Sequence, residues 1–458
     1  MILPQRFANS MKKLLNGEYD DLIASYDEKP LSGLRVNTSK ISLSDFESIA
    51  PFDIDKIPYI SDGYYINDTD AWSKHPYYYA GLYYLQEPSA MLPAEILPVS
   101  EGDTVLDLCA APGGKSTKLA VKQAGLLFAN DISPSRAIAL VKNLEHFGTG
   151  NYLVSAVSPK VLASNFRETF SSVLVDAPCS GEGMFRKDKS LISSYSKVDE
   201  YHYPNIQKAI IESAWETVCP GGFLLYSTCT FSDTENEKVI QSLLDGHDDA
   251  VLCPVDDSYG LSGPYEDYAG MNCYHLFPHR QKGEGHFIAL IKKSGAKPVR
   301  EDISFCDHSM FCPELEELMP YMSEGYRKRF RNRSFLKTQD GFIYMLPEKH
   351  KGFLAGNIRY LRTGTCIGRI QKSGKVQPST AFALSLSPDD LNNVLSLRAD
   401  DPDIIRYLKG ETLIIGKDRM NCVKKGLVLI CVDRFPLGFG KYDGNKIKNL
   451  YEKGWVMS

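Results

Sequence analysis

Between Val105 and Ile291 the chain repeats one rhythm, and that rhythm leaves few folds open. Val105-Leu-Asp-Leu108 precedes a loop of small residues and the helical Ser116-Thr-Lys-Leu-Ala-Val121. Leu126-Leu-Phe-Ala-Asn130 precedes a helical Ser135 to Phe147. Val173-Leu-Val175 and Phe223-Leu-Leu-Tyr226 follow, with a helix from about Asn205 to Val218 between them, and Phe287-Ile-Ala-Leu-Ile291 closes the series. Apolar runs that alternate with helical segments predict a parallel sheet with helices on both faces. Ligands in such folds bind outside the carboxyl ends of the strands. Two thiols fall at such ends, Cys179 after Val173-Leu-Val-Asp-Ala-Pro and Cys229 after Phe223-Leu-Leu-Tyr-Ser-Thr, with the carboxylate of Asp176 beside the first.

The chain has 458 residues, long enough for several domains of about 100–200 residues each. Residues 1–75 read as a small mixed α/β domain, with helical spacing over Phe7–Leu15 and a strand-like Leu34–Thr38. Residues 76–295 hold the alternating core. A Lys/Gly/Pro passage, Lys292 to Pro298, reads as a linker to a basic domain over 311–390 and a small β-domain over 391–458. No run of about 18 apolar residues is present, and Met1-Ile-Leu-Pro-Gln-Arg-Phe7 lacks the layout of a signal peptide. A monomer in the cytoplasm, with no membrane contact, is expected. Eleven thinly spread cysteines fit reduced thiols better than a disulfide framework. No Cys/His cluster has zinc spacing; Cys306 and Cys312 are isolated from further ligands, and no metal is expected.

The net charge of -5 conceals an asymmetry: residues 321–458 carry 25 Lys and Arg against 13 Asp and Glu, a balance of +12. Such a segment is expected to meet phosphate, through residues such as Arg329, Arg331 and Lys446. Its densest stretch, Tyr326–Lys337, interleaves cations with aromatics that would offer stacking surfaces. The simpler reading of any charge run is a solvated helix face.

The sharpest motif is Val105-Leu-Asp-Leu-Cys-Ala-Ala-Pro-Gly-Gly-Lys-Ser116. A strand, a loop of small residues and a helix start allow backbone to approach a ligand closely. Asp131, 17 residues after Gly114, stands where an acid accepts ribose hydroxyls. A phosphate-binding loop would need glycine where Cys109 stands, and a dinucleotide site would need Gly-x-Gly-x-x-Gly, which is absent. S-adenosylmethionine remains, and a thiol pair beside a carboxylate suits addition to, and departure from, a pyrimidine ring.

Three motifs in order carry a family resemblance: Cys109-Ala-Ala-Pro-Gly-Gly-Lys115, Asp176-Ala-Pro-Cys-Ser-Gly181, and Tyr226-Ser-Thr-Cys-Thr-Phe231 with Glu235-Asn-Glu237 downstream. They resemble those of the NOP/Sun family of RNA cytosine-5 methyltransferases over most of residues 80–295. Gly283-Glu-Gly-His-Phe-Ile288 is similar to the family's closing strand. The C-terminal Gly438-Phe-Gly-Lys441 and Tyr451-Glu-Lys-Gly-Trp455 are similar to the bacterial RsmF-type branch, which modifies 16S ribosomal RNA and carries a PUA-like RNA-binding module. The resemblance implies a Rossmann-like methyltransferase core, rRNA processing by 5-methylcytosine formation, and S-adenosyl-L-methionine held by Cys109, Ala110, Ala111, Pro112, Gly113, Gly114, Lys115, Asp131, Arg136 and Asp176. It implies Cys229 as the nucleophile at carbon 6 of cytosine and Cys179 as the group that assists its departure. Asp176 is the candidate to hydrogen-bond ring nitrogen 3, if it can hold a proton, and Lys115 is counted with the catalytic set. Lys115 and Arg186 are cations able to lower a thiol pKa. Where related proteins often carry an acid beside adenine, this chain offers Ser158.

Rival readings stay open on sequence alone. A DNA cytosine-5 methyltransferase would attack with the Pro-Cys thiol, yet Ser180 follows Cys179 where Gln is expected. A transfer-RNA methyltransferase, a non-catalytic RNA-binding ribosome-assembly protein and a nicotinamide-dependent oxidoreductase are the others.

Overall fold

A computed structural model describes residues 2–122, 124–297, 311–416, 419 and 423–457; Pro298 and Cys306 lie outside the described residues. β1 (Ser32–Val36), β2 (Asp55–Lys56), β3 (Gly63–Ile66) and β4 (Tyr83–Gln86) form an antiparallel sheet in the order β2-β3-β1-β4. The first unit therefore runs past the expected boundary at 75. Leu34 on β1 faces Leu85 on β4, and Tyr83 is buried against Trp72 and Phe46.

The central sheet contains the parallel strands β5 (Thr104–Asp107), β6 (Leu126–Asn130), β7 (Tyr152–Ser155), β8 (Phe170–Asp176) and β9 (Val218–Thr228). β12 (His286–Lys293) runs antiparallel to β9, and β10 (Ala250–Cys253) and β11 (Cys273–Leu276) pair with β12. Reading across, the order is β10-β12-β9-β8-β5-β6-β7. The chain steps outward from β5 to β7 and returns to β8 on the other side, so the topological switch falls between β5 and β8. Alternate strand residues supply two cores. Val105, Leu127 and Leu174 meet Leu119 and Leu140 of the helices Gly114–Val121 and Pro134–Phe147. Leu106, Phe128 and Val173 meet Leu162, Trp215 and Ile240 of the helices Pro159–Asn165, His202–Thr217 and Glu237–Gly246. Burial on both faces is what makes these strands continuously apolar.

β13 (Phe335–Lys337), β14 (Phe342–Met345), β16 (Thr365–Ile370) and β17 (Val376–Pro378) form a further sheet, but β15 (Tyr360–Arg362) does not join it. β15 pairs antiparallel with β7, Tyr360 opposite Ser155 and Arg362 opposite Val154, as the ninth strand of the central sheet. Arg362 Nε lies 2.7 Å from Glu145 Oε1, and Phe353 and Ile358 enter the core on that side. The region expected to stand apart at 311–390 thus closes the open edge of β7, whose backbone groups need partners. β18 (Val394–Leu397), β19 (Gly426–Val432), β20 (Phe435–Tyr442) and β21 (Ile447–Asn449) form the last sheet; its Val428 and Phe435, with Tyr407 of the helix Pro402–Leu408, share a core with Trp72 and Tyr77 of the first unit.

Residues 326–337 do not make an aromatic platform. Phe330 and Phe335 are buried, and four of the six cations are paired: Arg329 with Asp390 at 2.9 Å, Arg331 with Glu316 at 3.1 Å, Arg333 with Glu348 at 3.0 Å and Lys337 with Glu314 at 2.5 Å. The acids come from segments distant in sequence, so the cluster's charge is largely compensated in the fold.

Candidate active site

The carboxyl ends of β5, β8 and β9 converge at the switch point. The loop after β5 turns into the helix Gly114–Val121 at Gly113, whose φ of 115° lies in the region open to glycine. Four polar side chains on that helix are buried and each has a partner. Lys115 Nζ lies 2.7 Å from Asp176 Oδ2, Ser116 donates to Asp107 Oδ2 at 2.6 Å, Thr117 accepts from Arg35 at 2.5 Å, and Lys118 pairs with Asp62 and Glu95. Arg35 belongs to β1 and also donates to Gly114 O at 2.6 Å, so the first unit holds the loop from outside.

Asp131, at the end of β6, accepts from the backbone N–H groups of Ser133 at 2.9 Å and Ala111 at 3.3 Å. Arg136 donates to Ala111 O at 2.8 Å and stands 3.5 Å from Asp131 Oδ2. A cavity of about 550 Å³ runs from Asp131, Ile132 and Ser158 past Cys109 to Asp176, Cys179 and Cys229. A second, of about 260 Å³, lies across the loop and is bordered by Gln86, Glu87, Asp107, Gly114, Lys115 and Asp176. Cys109 and Asp176 border both cavities, and Ala110, Ala111 and Pro112 line the second. An apolar channel with one acid toward one end and two thiols at the other fits a nucleoside whose substituent reaches the thiols. A larger cavity, about 930 Å³, lies by Ala124 and Asn151 at the opposite ends of these strands, away from both thiols.

Cys179 Sγ and Cys229 Sγ are 3.2 Å apart. The two loops that carry them are joined behind the sulfurs by Ser180 Oγ and Thr230 Oγ1 at 2.8 Å. Glu235 accepts from Ser180 N–H at 3.0 Å and from Gln207 at 3.0 Å, while Gln207 also donates to Pro178 O at 2.9 Å. Glu182 accepts from Phe231 N–H at 3.0 Å and from Tyr195 at 2.9 Å. The hydrogen bond with Cys229, together with burial, pushes the Cys179 thiol well above its ordinary pKa, so Cys179 carries its proton at neutral pH.

Asp176 departs from the sequence expectation. Burial works to raise its pKa, but the Lys115 ammonium and His286, whose Nε2 is 3.5 Å away, outweigh burial and hold the carboxyl well below the usual range. Asp176 is therefore ionised. Arg186 is also placed differently: it is buried, chelates Glu284 with two bonds of 2.9 Å and donates to Ser25 O at 2.9 Å, and so fastens the first unit to the segment before β12. Its guanidinium is engaged by Glu284, a partner remote in sequence. Burial raises Asp107 to about 7, and no partner for its Oδ1 exists among the described residues. Glu182 is likewise pushed up to about 7 by burial and by Glu235. Glu182, Gln207 and His286 escaped the sequence reading as site residues. Their one signal there was proximity: Glu182 follows Cys179 closely, and His286 stands in the closing-strand motif.

The strand order, the crevice at the switch point and the paired thiols define a Rossmann-like methyltransferase that uses S-adenosylmethionine. Residues 94–292 match the family described as 16S rRNA methyltransferase RsmB/F, residues 3–88 the N-terminal domain of 16S rRNA methyltransferase RsmF, and residues 394–457 the methyltransferase RsmF PUA domain. The chain belongs to the RsmB/F family of 16S rRNA methyltransferases. It is 32% identical to a ribosomal RNA small subunit methyltransferase F of Shewanella piezotolerans, over 97% of this chain and 95% of that protein. It is 30% identical to a protein of the same name from Erwinia tasmaniensis, over 100% and 97%. Among solved structures it is similar to a methyltransferase homologue from Pyrococcus horikoshii, at 27% identity and a TM-score of 0.53, covering 63% of this chain and 95% of that one.

Proposed function

We propose that the chain methylates carbon 5 of cytosine in RNA, with 16S ribosomal RNA as the substrate, through a covalent bond between Cys229 and carbon 6 of the base. The observation that carries this reading is the 3.2 Å pair of thiols beside the Lys115–Asp176 ion pair, at the end of a cavity that also reaches Asp131. Carbon 5 is a poor nucleophile until a thiolate adds to carbon 6. The protonated Cys179 donates toward Cys229 Sγ, which favours negative charge there before attack and again when the sulfur departs. Addition places charge on ring nitrogen 3, and we assign its neutralisation to the Lys115–Asp176 pair. S-adenosylmethionine, when bound, supplies the methyl group; loss of the carbon 5 proton to a base then lets the carbon 6–sulfur bond break, its electron pair returning to Cys229 as the ring regains its aromatic form. Asp131 is suited to the ribose hydroxyls and Arg136 to fixing the loop at Ala111, while Cys109 through Gly114 bring backbone close to the cofactor. Ser158 stands in the same cavity without an acid's charge, so recognition of adenine there rests on shape and hydroxyl contacts.

Among the described residues no helix is long and apolar enough to cross a membrane. A cytoplasmic monomer acting on ribosomal RNA or the small subunit is the setting proposed for this activity. Bisulfite sequencing of total RNA from cells with and without the protein tests the substrate. One or more 16S cytosines should lose protection in its absence; loss confined to transfer RNA would replace the substrate, and no loss anywhere would remove the activity.

A further inference from the structure

Two free thiols in contact can do chemistry on each other as well as on a base. Cys179 Sγ and Cys229 Sγ are 3.2 Å apart, and a disulfide bond is about 2.05 Å long, so an approach of about 1 Å joins them. The backbone on either side is already tied across the pair. Gly183 N–H donates to Cys229 O at 2.9 Å, and Ser180 Oγ meets Thr230 Oγ1 at 2.8 Å, which keeps the sulfurs facing one another. Both thiols are half-buried and border the channel of about 550 Å³, so a small oxidant that enters it reaches them. Cys273 and Cys431, by contrast, are buried in apolar cores. Cys179 carries its proton and donates toward Cys229 Sγ, which favours the thiolate on Cys229. Thiolate is the form that oxidants attack. The contact that prepares Cys229 for carbon 6 therefore also marks it as the first sulfur to oxidise, with a second thiol in place to resolve it.

We propose that Cys179 and Cys229 are a site of reversible oxidation by hydrogen peroxide, and that the disulfide formed between them switches methyl transfer off. The Cys229 thiolate attacks one peroxide oxygen and the O–O bond breaks. With a proton from solvent, this leaves a sulfenic acid on Cys229 and one water. The sulfur of Cys179 then displaces the hydroxyl oxygen from Cys229, and the Cys179 proton leaves with that oxygen as a second water. Two electrons pass from the thiol pair to the peroxide. A dithiol reductant returns both thiols by exchange. A thiol without such a neighbour continues to sulfinic acid, which is not recovered by thiols; the neighbouring sulfur stops the sequence before that step. Formation of the bond depends on the geometry alone, whereas the loss of activity rests on the reading of Cys229 as the nucleophile.

The test treats the full chain, free of RNA, with a small molar excess of hydrogen peroxide, followed by alkylation, digestion and mass spectrometry of the peptides. Wild type is expected to yield one linked pair of peptides, carrying Cys179 and Cys229, lighter by two hydrogens than the separate peptides. Methyl transfer to RNA should fall in proportion to the linked fraction, and dithiothreitol should restore both thiols and the rate. Cys179→Ser should give no linked pair, with Cys229 gaining two or three oxygens that dithiothreitol does not remove. Cys229→Ser should leave Cys179 largely as the thiol at the same dose. Thermal melting checks that both variants, which exchange sulfur for oxygen, keep the fold. Oxidation of Cys229 in wild type without the linked pair would overturn the proposal. So would linked protein that keeps its full rate, or a loss of rate that dithiothreitol does not reverse. If the pair links and reopens as expected but untreated protein transfers no methyl group to any RNA, the proposed activity fails and the oxidation site stands.

Discussion

Glu235, from the loop that follows Cys229, holds the backbone N–H of Ser180, the residue after Cys179, at 3.0 Å. The reverse bond is also made: Glu182, from the loop of Cys179, holds Phe231 N–H at 3.0 Å in the loop of Cys229. Each thiol loop thus places a buried carboxyl under the other, and the two sulfurs owe their separation to this exchange. Neither loop needs to be rigid by itself.

Glu235→Ala should therefore damage turnover more than substrate binding. Losing a buried acceptor from two donors costs about 1–3 kcal/mol, and a misplaced Cys179 should lower the single-turnover rate while KM for RNA changes little. Glu235→Gln, which keeps an acceptor for Ser180 N–H, should recover much of the rate. Equal rates in wild type and Glu235→Ala would show that the clamp is only structural.

The thiols themselves separate by what accumulates. Cys229→Ala should abolish both methylation and any covalent adduct, whereas Cys179→Ala should trap RNA on the protein when S-adenosylmethionine is supplied. A slow-migrating complex on a denaturing gel reads this directly. An adduct formed by Cys229→Ala and absent in Cys179→Ala would reverse the roles.

Binding of S-adenosylmethionine should weaken in Asp131→Ala by roughly tenfold or more, the factor set by about 1.4 kcal/mol. The substitution removes an acid suited to ribose and also frees Ala111 N–H, which Asp131 accepts at 3.3 Å. Isothermal titration calorimetry on the RNA-free protein checks it, and unchanged affinity would move the ribose elsewhere.

Stability should depend on pH through Asp107. Its pKa rises on folding from 3.8 to about 7, so between those values the folded state binds more protons than the unfolded chain. Its contribution to stability is full below the lower value and falls as pH rises through the window. Asp107→Asn removes the titration, and its thermal melting curve should be flatter over that range than the wild type's. Parallel curves would show that the proton is not taken up on folding.

Much of the central sheet was readable because strands buried on both faces announce themselves as continuous apolar runs. Val105–Leu108, Leu126–Asn130 and Val173–Val175 all fall on or directly beside strands. β4 was less legible: Tyr83-Tyr-Leu-Gln86 carries no clear alternation of apolar and polar residues, and only its pairing with β1 assigns it to the first unit. β15 is three half-buried residues with no pattern of its own, and the exposed edge of β7 is what makes it a strand. At the site, positions along the chain placed Cys179, Cys229, Asp176 and the loop from Cys109, but charge states depend on neighbours that sequence does not supply. Lys115 and His286 hold Asp176 ionised; Glu284 engages the guanidinium of Arg186. Acids at 314, 316, 348 and 390 likewise occupy a basic stretch that looked free.

The pairing of Tyr360–Arg362 with β7 also sets how this protein can be divided. Cutting the chain after the linker would not release a self-sufficient catalytic fragment. It would bare the hydrogen-bonding edge of β7, leave Glu145 buried without the guanidinium of Arg362, and expose the core that Phe353 and Ile358 cover. Such an edge recruits any extended strand that reaches it, another copy's included. Translation order adds a further constraint: the central sheet is synthesised well before its ninth strand, so the nascent chain carries an unguarded border until residue 362 has emerged from the ribosome.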